Sequence, residues 1–127
     1  MTPEAAAFLE KSEEFLAKAH SMLAGGWADE AGRAAYLAGF HAAQAFIFER
    51  SGKLLKTHAG VQTEFARLVK ADTGFTTELR RFLGRAFNLK KVADYETGLA
   101  AVVSVAQAEA AMATARRFRA TVVSLIH

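Results

Sequence analysis

Hydrophobic and polar positions recur with a helical period along most of this chain. The most apolar stretch is Asp29 to Arg50, DEAGRAAYLAGFHAAQAFIFER. Its ends are charged, but no Asp, Glu, Lys or Arg stands between Arg33 and Glu49, and His41 is the basic group left inside it. Wound as a helix, Tyr36, Phe40, Ala43 and Ile47 form one stripe. Leu37, Gln44 and Phe48 form a second beside it, with His41 among them. A helix that is apolar on most faces is buried on most faces. The segment is therefore expected to be the central helix of a bundle, about 33 Å long at 1.5 Å per residue.

The flanking segments carry ordinary one-faced patterns and clear stop signals. A first helix is expected from Pro3 to about Leu23, capped by Thr2, with Phe8, Phe15, Ala19 and Met22 facing inward. Gly25-Gly26 ends it, Trp27 sits at the joint, and Ala28 or Asp29 opens the central helix. Ser51-Gly52 closes that helix, with Gly52 suited to a left-handed cap. After the short linker Lys53-Leu54-Leu55-Lys56, Thr57 caps a third helix from His58 to about Ala71, with Val61, Phe65 and Leu68 inward. Thr76 or Thr77 caps a fourth, expected to run to about Lys91, whose inward residues are Leu79, Phe82, Leu83, Ala86 and Phe87. Beyond Asp94-Tyr95 two starts for the last helix are open, one near Leu99 and one after Ser104. Ser104 and Gln107 fit a capping box, which favours the second start and a helix to about Leu125 with Met112, Ala115, Phe118 and Val122 inward. The fold class is thus all-α, an up-and-down bundle of four to five helices forming one domain over residues 1–127.

Composition narrows the chemistry. At 127 residues, 52% of them hydrophobic, one core can form without staples. With no Cys there is no disulfide framework, thiolate metal site or Cys nucleophile. The N-terminus lacks the charged-then-apolar pattern of a secretion signal. No uncharged apolar run reaches the about 18 residues of a membrane span, and the near case, Gly98 to Ala108, is too short and interrupted by Ser104 and Gln107. A cytoplasmic protein without membrane contact is expected. The net charge of +3 hides an asymmetry. Residues 1–49 hold three basic and seven acidic side chains, whereas residues 50–91 hold ten basic and three acidic. The middle third is the place to look for an anionic partner.

Several short motifs then stand in order: Arg33-Ala-Ala-Tyr36, Phe40-His41-Ala42-Ala43-Gln44-Ala45, Lys56-Thr57-His58-Ala59-Gly60-Val61, Phe65 and Ala93-Asp94-Tyr95. In that order and at those gaps the chain resembles the HEPN family (higher eukaryotes and prokaryotes nucleotide-binding domain), over roughly residues 5–120. It is most similar to the small stand-alone prokaryotic branch. The resemblance implies a helical bundle that often forms homodimers. It further implies a nucleotide- or RNA-binding module, or the partner subunit of a minimal nucleotidyltransferase in a toxin–antitoxin-like cassette. Some branches are metal-independent endoribonucleases that act as dimers and carry Arg, four to six residues, then His. Here Arg33–His41, Arg50–His58 and Arg119–His127 each enclose seven residues. Lys90 stands where similar members have Arg, which keeps the charge and loses the bidentate fork. No catalytic residue is therefore assigned, and a binding module is placed ahead of an RNase. A plain helical dimerisation protein is the remaining alternative.

Two sets of residues are candidates for a site. The first is a polar pocket from Arg33, Tyr36, His41, His58, Asp94 and Tyr95, if the fold brings those motifs together. His41 is equally readable as a core histidine bonded to a neighbouring helix, His58 as a helix-start residue, and Asp94 as a structural bridge to Arg33. The second is a basic set in the third and fourth helices, Arg67, Lys70, Arg80, Arg81, Arg85, Lys90 and Lys91. Of these, Arg81, Arg85, Lys90 and Lys91 are the expected phosphate contacts. Exposed aromatics are not interleaved with them, which points to backbone contact rather than base stacking. No cofactor is expected. No metal site is expected either, since His41, His58 and Asp94 share no ligand-type local spacing.

Overall fold

A computed structural model describes residues 1–72, 74–95 and 102–127, with side chains in the fourth helix described as far as Lys91. The described residues form five helices: α1 Pro3–Ala24, α2 Ala28–Ser51, α3 His58–Val69, α4 Thr77–Tyr95 and α5 Val105–Ile126. The caps are those the sequence marks. The Thr2 hydroxyl accepts from Ala5 N at 3.1 Å and that of Thr57 from Gly60 N at 2.9 Å. Thr76 accepts from Leu79 N at 3.2 Å. Ser104 and Gln107 complete a reciprocal capping box. Gly52 closes α2 at φ 71°, a left-handed position that a side chain would strain. Two ends differ from expectation. α3 stops at Val69, two residues early, while α4 continues through Asp94-Tyr95 because neither residue breaks a helix. The alternative start of the last helix near Leu99 lies outside the described residues.

α2 packs against every other helix. The four long helices alternate in direction. The backbone N–H of Thr2, at the start of α1, donates to the Glu49 carboxylate near the end of α2. Leu89, late in α4, lies against Gly32, early in α2. α5 runs with α2: Asp29 Oδ1 accepts from Val103 N at 3.0 Å at one end, and Arg50 donates to the Leu125 carbonyl at 3.2 Å at the other. The short α3 also runs with α2, because His58 lies at Tyr36 and Phe65 at Phe46. Residues 52–57 accordingly return along α2. Six residues can cover about 20 Å, and the fifteen helical positions from Tyr36 to Ser51 span about 22 Å.

The core is aromatic at one level and small at another. Phe46, Phe65, Phe75, Phe82 and Phe118 pack ring on ring with centroids 5.2–5.8 Å apart. On α1 the inward stripe is rotated from expectation. Ala5, Leu9, Ser12, Leu16 and Ala19 are buried, while Phe8, Phe15 and Met22 are only partly so. Small residues let α1 approach α2 closely, and the buried Ser12 hydroxyl donates to the Ala38 carbonyl at 2.7 Å. Gly39 performs the same service for α4, since a Cβ there would lie 2.2 Å from Phe82 Cε2. Glu64 is a buried acid on α3, ion-paired to Lys53 at 2.5 Å and to Arg67. These partners hold its carboxyl down at about 2, with hydrogen bonds from Arg67 the largest cause. The return segment is thereby fastened to α3 as well as to α2, where Gln44 Nε2 donates to the Leu55 carbonyl at 2.8 Å.

Candidate anion-binding groove

An open groove of about 530 Å³ lies between α3 and α4, walled by Gln62, Phe65 and Ala66 on one side and Arg80, Arg81, Gly84, Arg85, Phe87 and Asn88 on the other. The helical period that turns Phe82, Leu83 and Ala86 into the core carries Arg81 and Arg85 outward, one turn apart. Both are exposed, and among the described residues neither has an acidic partner. Arg80 is committed elsewhere: its Nε donates to the Phe75 carbonyl at 3.1 Å and its terminal nitrogen to the Asp72 carbonyl at 2.9 Å, bracing the turn before α4. Arg67 is held by Glu64. Lys91 lies over the Phe87 ring at 5.8 Å, at the far end of the groove, and Lys90 is half-buried. Arg85 also reaches a second, smaller cavity of about 320 Å³ between α4 and α5.

At the Phe87 end the groove meets a part-buried polar pair. The Tyr36 hydroxyl and His58 Nδ1 lie 2.7 Å apart, and Tyr36 is fully buried. Burial pushes its hydroxyl up to about 12; the Gln62 side chain hydrogen-bonds the oxygen and works the other way. The rings of Tyr36, Phe40 and Phe87 enclose the imidazole at 5.1–5.5 Å. Tyr36 stays neutral throughout the physiological range, and its hydroxyl orients His58 against the groove wall.

Of the other members of the expected polar pocket, His41 lies on the α1 side of α2. His41 stacks on Phe15 of α1 at 5.4 Å. Its Nδ1 bonds Gln44 Oε1 at 2.7 Å within α2 itself, not a neighbouring helix. Because the Gln44 amide nitrogen is spent on Leu55, Gln44 offers its oxygen and His41 Nδ1 is the donor. Burial lowers the His41 pKa, so the ring is neutral at physiological pH. Arg33 pairs with Glu30 at 2.6 Å. The side chains of Asp94 and Tyr95 lie outside the described residues. Of the expected set, Tyr36 and His58 are thus seen to meet. Gln62, Gly84, Phe87 and Asn88 line the groove without having been singled out. The one available signal was Gln62 standing one turn after His58 on the edge of the α3 stripe.

In two of the Arg–His pairs of the seven-residue spacing, both side chains have contacts away from each other. Arg33 is with Glu30 and His41 with Gln44. Arg50 bonds Asp72 and the Leu125 carbonyl, while His58 bonds Tyr36. Arg119 donates to the Leu9 carbonyl. Among the described residues no group of His, Asp or Glu is arranged to hold a metal ion, and no helix is long and apolar enough to cross a membrane.

The HEPN domain model matches residues 5–125, nearly the whole chain. No curated protein shows a significant match.

Proposed function

Given that this chain belongs to the HEPN domain family, we propose that it is a binding module for the phosphate groups of RNA or a nucleotide, held in the α3–α4 groove. The observation that carries this reading is the pair Arg81 and Arg85, exposed, one turn apart and without an acidic partner among the described residues, beside an open groove of about 530 Å³. Each guanidinium offers a planar fork that matches two phosphate oxygens. Each contact also releases condensed counterions, so affinity falls with salt. Among the described residues, Glu64, Asp72 and Glu78 are the acids of residues 50–91, and all are ion-paired, which leaves the local field positive. The contacts of Arg33, His41, Arg50 and His58 away from their seven-residue counterparts support binding rather than cleavage. Fluorescence anisotropy with labelled single-stranded RNA tests the proposal. Arg81→Ala/Arg85→Ala should weaken binding by about 10–100-fold, taking 1–3 kcal/mol for the loss of charged hydrogen bonds. Unchanged affinity refutes it. RNA cleavage without metal that His58→Ala abolishes would move the function to the endoribonuclease reading.

A second reading, a subunit of a nucleotidyltransferase partner, is favoured by a different observation. Trp27 (64% exposed), Val102 (63%) and Val105 (55%) are large apolar side chains left in solvent around the α2 and α5 N-termini, which the Asp29–Val103 hydrogen bond ties together. Exposed apolar groups gathered at one place mark interaction sites. Co-purification with the product of an adjacent reading frame, lost in Trp27→Ser, is the expected result. Retained capture by that variant removes this surface from the partner reading.

A further inference from the structure

Gly84 occupies the middle of α4, where glycine is the poorest helix former short of proline. The described residues give it no packing reason to be there. Among the described residues a Cβ built on it meets nothing within 4 Å, unlike Gly39, where Phe82 fills the space. Its φ is not positive, so no backbone strain requires it either. Its neighbours one turn away on the helix surface are Arg80, Arg81, Phe87 and Asn88, all of them lining the groove. Gly84 is thus a bare patch of helix ringed by groove residues.

Building on the phosphate-binding reading, we propose that Gly84 is the point where a single-stranded phosphodiester chain passes closest to α4, and that an extended strand rather than a mononucleotide is the ligand. The cationic ridge explains the second half. From Arg81 past Gly84 to Lys91 is ten residues, about 15 Å along the helix and about a quarter turn round it, longer than the phosphates of one nucleotide reach. Without a side chain at 84 the ridge is interrupted by a saddle, so a strand gripped by Arg81 and Arg85 continues toward Phe87 and Lys91 without rising over a methyl or larger group. A second copy of this chain fits the saddle less well, because a two-fold contact there sets Arg81 and Arg85 against their own copies.

Three variants and two ligands separate the outcomes. Gly84→Ala should raise the melting temperature by about 2–4 °C through helix propensity alone. Gly84→Leu, also compatible with helix, should keep the fold by circular dichroism yet bind an RNA of about a dozen nucleotides at least about tenfold more weakly. Wild type should prefer that RNA to ATP by at least about tenfold. If Gly84→Leu binds RNA as wild type does while Arg81→Ala/Arg85→Ala does not, the saddle is wrong and the groove stands. If the double arginine variant also binds normally, the groove itself is refuted. Equal affinity for ATP and RNA overturns the extended-strand assignment. Loss of a dimer in Gly84→Leu, by light scattering, with RNA affinity unchanged, overturns the proposal in favour of a protein contact.

Discussion

The crossing of α2 and α4 turns on a single missing methyl. Replacing Gly39 by Ala places a Cβ 2.2 Å from Phe82 Cε2 and 3.1 and 3.2 Å from Cδ2 and Cζ. The ring cannot swing aside freely, since Phe82 is 4% exposed and packs on Phe118 at 5.4 Å. Two terms oppose each other. Alanine gains about 1 kcal/mol of helix propensity over glycine, and overpacking a close-packed site costs about 1–3 kcal/mol. A contact so far inside van der Waals distance, against a boxed-in ring, belongs at the upper end. The net loss should be about 1–2 kcal/mol, or about 3–8 °C in melting temperature for a domain of this size. Thermal denaturation followed by circular dichroism is the assay, because the one Trp, Trp27, is already in solvent. Shrinking the ring with Phe82→Leu should relieve the clash, so the two substitutions should couple favourably by more than about 0.5 kcal/mol. Gly39→Ala as stable as wild type or more so, with additive effects in the double variant, would refute the close-approach account.

Other consequences follow from named contacts. The Glu64 carboxyl is held at about 2 instead of its ordinary 4.5, so the unfolded chain binds the proton first on acidification. The pair's contribution is complete above pH 4.5 and is lost as pH falls toward 2, so Glu64→Gln should flatten the stability profile in that window. Identical slopes in both proteins would contradict the ion-pair assignment. Tyr36→Phe leaves His58 Nδ1 and Gln62 without their shared partner and should cost about 1–2 kcal/mol; the His58 ring resonances should shift, whereas those of His41 should not. A chemical denaturation midpoint equal to wild type would show that the Tyr36–His58 bond contributes nothing. Gln44→Ala removes the link to the Leu55 carbonyl and should speed hydrogen exchange in residues 52–57 ahead of the rest of the chain; unchanged exchange there would show that other contacts fasten the return segment.

What the sequence reveals and what it hides follow a physical division. The caps at Thr2, Thr57 and Ser104 are readable because each depends on a hydroxyl and a backbone N–H only three residues away. The burial of Asp29–Arg50 is readable because no rotation of such a helix exposes a charged face. The α1 stripe misleads for a related reason. A hydrophobic pattern weights Phe8 and Phe15 by size, whereas close helix approach selects Ala5 and Ser12, beside the expected Ala19, for the lack of it. The return of residues 52–57 along α2 has no periodicity to betray it; a side-chain amide, Gln44, and a distant acid, Glu64, hold it. The groove is only half legible. Arg81 and Arg85 stand out by charge, and Tyr36 and His58 by their place in the family's motifs. Gly84 does not, since an open position on a helix and a crowded one such as Gly39 look alike in one dimension.

The central claim is that phosphate is gripped on the α4 ridge beside α3, and the salt dependence of RNA affinity tests it most directly. Three contacts, from Arg81, Arg85 and Lys91, should give a slope of log K against log salt of about −2, with about 0.7 for each phosphate neutralised on a single strand. That is a loss of about twentyfold between 50 and 200 mM salt. In Arg81→Ala/Arg85→Ala the slope should fall to about −0.7. A wild-type slope near zero, or one that the double variant leaves unchanged, would contradict the account.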